Sequence, residues 1–426
     1  MTKTAPKAYQ YHRLAGFGSN PFSPKPLEAT ESGRKALVGR EQSLLDLKSS
    51  FHRGRMLITV EGQFGVGKTS LVNCAAWDIY QASFNTDDFM HFFQCPALFE
   101  IYGDTKAPDF KRDAYLAIAA TLVKYQSQID YRNDRAKDFK VLQKWLDGNR
   151  GRSTTVNFSL FGLTVGSSEG DQFQKGFENH GIYDLVADLL QCFFPEDRGG
   201  IVCVLENSEL MESGLNVLSS IEQLRDSVFT TNGVRWILTG SEEIFSHVYG
   251  SQRLSRHMGD PIEIPALTVS EATEAFSRRI DLNLRPDRVN QLPISGEDFG
   301  QLYENLGSNL GVAFTWADDF CHWSFTRRNP SDGFGGTFAE WYNDRCNEVS
   351  DNLEDMTSEE THVLNIIGKN KGTVPTSLVS GYDLAIDSLI RKRLVAQNKV
   401  ASLKNEIAYS LTPTAWLLVS TNELFS

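Results

Sequence analysis

A chain of 426 residues exceeds one ordinary core, so two to three domains are expected, and 41% hydrophobic with 23% charged residues are the proportions of a soluble globular protein. The net charge of −12, from 42 basic and 54 acidic residues, excludes a surface coated with phosphate-binding lysines but leaves room for one local basic patch. Six cysteines stand singly, eight histidines show no metal-ligand spacing, and no apolar run has the length of a membrane span or the core of a signal peptide, so a reducing, cytoplasmic setting is expected.

Residues 1–36 are polar with scattered Gly and Pro ("GFGSNPFSPKP") and predict an extended leader. Over 37–265 the short apolar runs "MLITV", "HFFQC", "IVCVL" and "WILTG" alternate with helical segments, which predicts a parallel sheet covered on both faces. A long insertion near 100–185 separates the second run from the third. It holds the helical "DAYLAIAATLVKYQ", a segment of mixed charge, and "TTVNFSLFGLTVGSS". There Val156, Phe158 and Leu160 alternate with Asn157 and Ser159, and Leu163 and Val165 follow Gly162, the pattern of a β-hairpin with one apolar face. An edge hairpin and a partner-contacting hairpin both fit that pattern.

Residues 266–350 turn helical and predict a lid ("SEATEAFSRRI", "FGQLYENL", "GVAFTWADDFCHW", "FAEWYNDRCNEV"). The last module, 351–426, opens on "TSEE", a capping box with Thr357 as cap and Glu360 as its return partner. Helical "HVLNIIGKN", a Pro-containing turn, helical "DLAIDSLIRKRLV" and strand-like "EIAYSLT" follow in the order of a winged helix-turn-helix.

Gly62-Gln63-Phe64-Gly65-Val66-Gly67-Lys68-Thr69, with Ser70 next, satisfies G-x-x-x-x-G-K-[ST] between an apolar strand and a helix. Such glycines let backbone N–H groups line a phosphate-sized concavity, and the following helix adds its N-terminal partial charge. Lys68 is placed to reach the β- and γ-phosphates and Thr69 to ligate Mg²⁺. Mg²⁺ also needs a carboxylate at a neighbouring strand end, and "IVCVLENSEL" supplies Glu206, with Glu209 nearby. Asn207 then stands where a general base would be. An amide orients water but takes no proton. Shifting the register by one residue would leave Leu205 on the metal side, which is chemically useless. At the end of "VRWILTGS", Thr239 and Ser241 either reach the γ-phosphate and attacking water or cap the next helix.

In order and spacing, "NPFSP", "LVGRE", the phosphate loop, "IVCVLENSEL", "WILTGS" and "SRHMGDPIEIPAL" resemble an AAA+-type ATPase, of the branch joining origin-recognition initiators and signal-transduction (STAND) ATPases. The match runs by motif from about Asn20 to Arg279. It implies an α/β P-loop NTPase core on a parallel sheet, an α-helical lid and a C-terminal winged helix-turn-helix, with ATP and Mg²⁺ as cofactors. It also implies that Val38, Gly39 and Arg40 form part of the adenine pocket, flanked by Pro21 and Phe22. Glu206 becomes the Walker B acid, Thr239 the sensor-1 residue, and Arg256 the finger reaching a neighbouring subunit's γ-phosphate, with Arg253 in reserve. A finger in trans implies an ATP-dependent homo-oligomer. The departures are Glu for Asp and Asn for Glu at Walker B, and "GSNLGVAF" in the lid, where Val312 or Ala313 stands near the expected sensor-2 arginine. Both weaken hydrolysis more than binding, the pattern of a slow switch; a non-hydrolysing, nucleotide-stabilised scaffold is the alternative.

Arg391, Lys392 and Arg393 end the recognition-helix segment, where they fit phosphate contacts to DNA or simply complement the helix dipole of a protein-docking winged helix. The bases Arg132, Lys140, Lys144, Arg150 and Arg152 are interleaved with acids and read as a solvated face. A protein partner is expected, and DNA maintenance, transposition control and antiviral defence are the settings such a switch would serve.

Overall fold

The four apolar runs become four neighbouring strands, because Val, Ile, Phe and Trp in short blocks suit a sheet buried on both faces. The computed structural model describes residues 11–53, 57–63, 65–83, 91–100, 106–129, 135–149, 181–195, 198–206, 221–240, 251, 253, 254, 257–327, 333–351, 356–370, 373–399, 407–412, 414–416 and 419. The chain opens with α1 (Tyr11–Leu14), α2 (Glu31–Ala36), α3 (Glu41–His52), β1 (Leu57–Glu61) and α4 (Lys68–Ser83). Then come β2 (His91–Glu100), α5 (Ala107–Lys124), α6 (Gln126–Ile129), α7 (Ala136–Asn149), α8 (Gly181–Phe193), β3 (Gly199–Glu206), β4 (Val234–Gly240) and β5 (Ile262–Glu263). These strands form one parallel sheet in the order β2-β3-β4-β1-β5.

Alternation along β3 and β4 sends side chains to two cores. Ile201, Cys203, Leu205, Val234, Trp236 and Leu238 pack under α5, α7 and α8. Val202, Val204 and Ile237 join Ile58 and Val60 under α3 and α4. The helix read as part of an insertion, α5, thus belongs to the sheet's cover, with Ala114 and Leu116 through Leu122 buried. The predicted hairpin lies outside the described residues.

The lid comprises α9 (Val269–Asn283), α10 (Gly296–Asn305), α11 (Leu310–Thr326) and α12 (Phe338–Asp351). Capping boxes at Thr268/Glu271 and Ser295/Asp298 start the first two, and the Asn309 side chain accepts from Val312 N–H at the third. Such caps contribute about 1 kcal/mol each. Residues 11–36 are not an extended leader. Tyr11, Ala15, Phe17 and Phe22 are buried in the lid core. Phe22 stacks on Phe276 at 6.2 Å, Phe276 on Phe299 at 4.6 Å, and Phe299 meets Phe314 at 4.9 Å. Single aromatics spaced along a Gly/Pro-rich segment plug a neighbouring core without any helical or strand period.

The same segment is held by polar contacts to α11. Tyr11 Oη donates to the Asp318 carboxylate, and Asn20 Nδ2 donates to its other oxygen at 3.3 Å. Burial pushes the Asp318 carboxyl up to about 6, helped by the adjacent Asp319 charge, and pushes the nearby His12 imidazole down to about 4. Folded Asp318 therefore binds more protons than in the unfolded chain between pH 4 and 6, and its contribution to stability falls as pH rises through that window. Folded His12 binds fewer, so its contribution rises over the same window. Asp318→Asn removes that falling contribution, while His12 and Asp319, whose carboxyl burial also pushes up, keep theirs. The melting temperature of the variant minus that of the wild type should grow from pH 4 to 6, measured by calorimetry; a constant difference would refute this account.

The C-terminal module is a winged helix: α13 (Ser358–Lys369), β6 (Thr373–Pro375), a 3₁₀ turn (Thr376–Val379), α14 (Asp383–Arg391), β7 (Val395–Lys399) and β8 (Ile407–Leu411), with sheet order β6-β8-β7. The Thr357/Glu360 capping box is present. Between the two expected helices, the Pro-containing turn becomes β6 and the 3₁₀ turn. The recognition helix ends at Arg391, and Arg393 adopts the left-handed φ of 58° that lets Leu394 and Val395 turn into the module's core. Among the described residues no helix is long and apolar enough to cross a membrane.

Candidate functional site

Parallel pairing brings the C-terminal ends of β1, β3 and β4 together. Leu205 pairs with Leu238, and Thr239 with Val60, so Glu206 and Thr239 stand side by side beneath the loop that follows β1. Open parallel sheets bind ligands at this edge. A cavity of about 210 Å³ occupies it, lined by the loop from Gly65 to Ser70, by Glu206 and Thr239, and by residues of the N-terminal segment and lid.

The phosphate-loop motif starts α4 at Lys68, as the strand–loop–helix reading requires. Gly65 and Gly67 have φ of +76° and +100°, and a Cβ at Gly67 would meet nothing within 4 Å. Conformation rather than crowding demands glycine there. Lys68 Nζ donates to the Gly62 and Gln63 carbonyls at 2.9 and 3.0 Å, which folds it over the loop. Thr69 Oγ1 donates directly to Glu206 Oε1. That contact sets the Thr69 hydroxyl against the carboxylate at the end of β3. The pair offers two hard oxygens, and among the described residues no group of three or more His, Cys, Asp or Glu side chains is arranged to hold a metal ion by itself. One hydroxyl and one carboxylate are the sparse hard-oxygen set that Mg²⁺ completes with water and phosphate oxygens. Thr239 Oγ1 donates to the Leu205 carbonyl at 3.4 Å, near the end of β4. Ser70 lines the cavity while its hydroxyl accepts from Leu27 N–H at 3.0 Å.

Val38 and Arg40 line the cavity; Gly39 stands against the Glu271 side chain, and Phe22 lies in the lid core rather than beside the cavity. The Arg40 guanidinium is turned inward. It donates to Pro265 O at 2.7 Å and to Val66 O at 3.1 Å, clipping the phosphate loop to the segment that leads into the lid. Burial pushes its pKa down. Asn207, Phe64, Arg256, Glu209 and Ser241 lie outside the described residues, as do Arg132, Arg150 and Arg152. The reserve finger, Arg253, is mostly exposed and 3.8 Å from Glu222.

The lid closes directly on the loop. Gly311 N–H donates to Gly65 O at 3.3 Å, and a Cβ on Gly65 would come within 2.3 Å of Asn309 Oδ1. Leu310, Gly311 and Phe314 reach the cavity, not Val312 or Ala313. Arg279 on α9 also lines it, a cation missed in the sequence. Its guanidinium lies 4.3 Å from the Phe314 ring centroid and donates to Ser23 O at 2.8 Å. Burial lowers its pKa to about 10, and among the described residues no carboxylate lies within ion-pair distance. A signal was present: Arg279 falls seven residues after Ala272, on the buried stripe that includes Ala275, Phe276 and Ile280.

On the far side of the same lid turn, a Cβ on Gly307 would come within 2.6 Å of the Trp416 indole from the winged helix. The Gly307–Asn309 turn therefore touches the phosphate loop and the winged helix at once. The architecture is an α/β phosphate-loop core on a parallel sheet, with a helical lid and a C-terminal winged helix. No family model and no curated protein matches the chain. Among solved structures, the ORC2 protein of Aeropyrum pernix in its ADPNP-ADP complexes is 13% identical, covering 96% of this chain and 98% of that chain with a TM-score of 0.44. Cdc6p from Pyrobaculum aerophilum is 14% identical over 96% and 98%, with a TM-score of 0.37. The Aeropyrum pernix ORC1 protein in complex with DNA is 12% identical over 96% and 97%, with a TM-score of 0.41.

Proposed function

We propose that this chain is an ATP- and Mg²⁺-binding switch with slow hydrolysis, which assembles with further copies in its ATP state and signals through its winged helix to a partner or to DNA. The supporting observation is the Gly307–Asn309 turn, packed between Gly65 and Trp416. A phosphate-loop ligand that reorders Gly65 must shift or hold that turn, and the winged helix rests on its other side. Lys68 would neutralise the β- and γ-phosphates, Thr69 and Glu206 would hold the cation, and Thr239 would sit near the terminal phosphate. Mg²⁺, when bound, supplies charge neutralisation of the phosphate oxygens. Arg279 is the lid's own contact with the nucleotide. Arg256 acts on a neighbouring subunit in this reading.

Hydrolysis separates the switch from a nucleotide-stabilised scaffold, a reading favoured by Asn207 in place of a base. ATP turnover above a Lys68→Ala blank, with greater mass in ATP than in ADP by light scattering, is the expected result. Tight binding without turnover, restored by Asn207→Asp, would favour the scaffold. A monomer in both nucleotides would remove the finger role of Arg256.

A further inference from the structure

The recognition helix of the winged module has the wrong outer face for a duplex. Ala385, Ile386 and Leu389 bury its inner stripe. Asp383, Leu384, Asp387 and Arg391 are exposed, Leu384 at 83%, and Leu378 on the preceding 3₁₀ turn is 53% exposed. A DNA-reading helix presents its N-terminal residues to base edges between two phosphate rows. Here those residues are two carboxylates around a leucine, facing a polymer with one negative charge per about 1.7 Å of axis. The basic cluster does not compensate: Lys392 Nζ is 3.1 Å from the buried Glu360 carboxylate and is spent inside the fold. Arg391 and Arg393 remain exposed, at and beyond the opposite end of the helix.

We infer that this face, centred on Leu384 and flanked by Asp383 and Asp387, docks a basic amphipathic helix of a partner protein and does not enter a DNA groove. Lysines or arginines of the partner would meet the two carboxylates, and its apolar stripe would cover Leu384 and Leu378. This names the partner class of the output module in the function proposed above, but the docking itself needs no nucleotide. Lys68→Ala protein should therefore bind the partner as the wild type does, which keeps the two readings separable.

The test uses the full chain, a fluorescein-labelled peptide with leucines and lysines at helical spacing, and a 30-base-pair duplex, each followed by anisotropy at physiological salt. Leu384→Ser preserves charge, so it discriminates docking from general attraction to an acidic protein. Peptide affinity should fall at least tenfold in Leu384→Ser and in the double variant Asp383→Asn, Asp387→Asn. It should be unchanged in Arg391→Ala with Arg393→Ala, with melting temperatures held because all these side chains are exposed. Peptide binding indifferent to Leu384→Ser would overturn the inference. Duplex binding lost in Leu384→Ser, or in the double arginine variant, would overturn it in favour of DNA.

Discussion

Lys68→Ala should weaken MgATP binding by at least ~100-fold, equivalent to about 2.7 kcal/mol, while leaving the melting temperature of the nucleotide-free protein within about two degrees. The asymmetry follows from what the ammonium touches. In the structure it donates to the Gly62 and Gln63 carbonyls at the mouth of the loop. Those carbonyls lie near water and can exchange a lost donor for solvent. A phosphate has no such substitute, since hydrogen bonds between two charged groups contribute about 1.5–3 kcal/mol and are roughly twice as strong as neutral ones. Titration with a fluorescent ATP analogue reads the affinity, and calorimetry reads the stability. An affinity within threefold of the wild type would show that the loop is not a phosphate site.

Arg279→Met should have the opposite signature to an ordinary core substitution. The nucleotide-free protein should melt at the same temperature or higher, because Met fills the space of the arginine stem and removes a half-buried cation whose pKa desolvation lowers to about 10. What is lost is one hydrogen bond to Ser23 O and the contact with the Phe314 face, each worth roughly 1 kcal/mol. Nucleotide affinity should fall at least ~10-fold, as expected for one charge-assisted hydrogen bond at about 1.4 kcal/mol per decade. Arg279→Lys, which keeps the charge but not the fork, should recover part of it. A lower melting temperature with unchanged affinity would make Arg279 a structural residue only.

The parts legible in the sequence are those whose physics is local. Consecutive apolar blocks announced β1 to β4, the glycine and lysine spacing announced the phosphate loop, and Thr357 with Glu360 announced a helix start that is present. What stayed hidden depends on partners far along the chain. Phe17 and Phe22 look solitary until the lid core closes around them. Lys392 looks available for DNA until Glu360, 32 residues earlier, takes it. Arg279 reads as one of two adjacent helix arginines, and only the Phe22-to-Phe314 ladder makes it the more enclosed one. The segment between the two helices of the winged module closes as a 3₁₀ turn because "TSLV" is too short to close more than one turn before Gly381.

The N-terminal segment also sets a mechanical limit. Phe22 is fastened to the lid, whereas Leu27 is fastened to the core, its N–H held by Ser70 and its carbonyl by Asn73 Nδ2 at 2.7 Å. Five residues of chain reach at most about 17 Å when drawn taut. The lid is thus leashed at two places, by this strand of chain and by the segment through Pro265 that leads into α9. It can gape like a hinged jaw but cannot swing free, so the cavity keeps both of its walls close to one another.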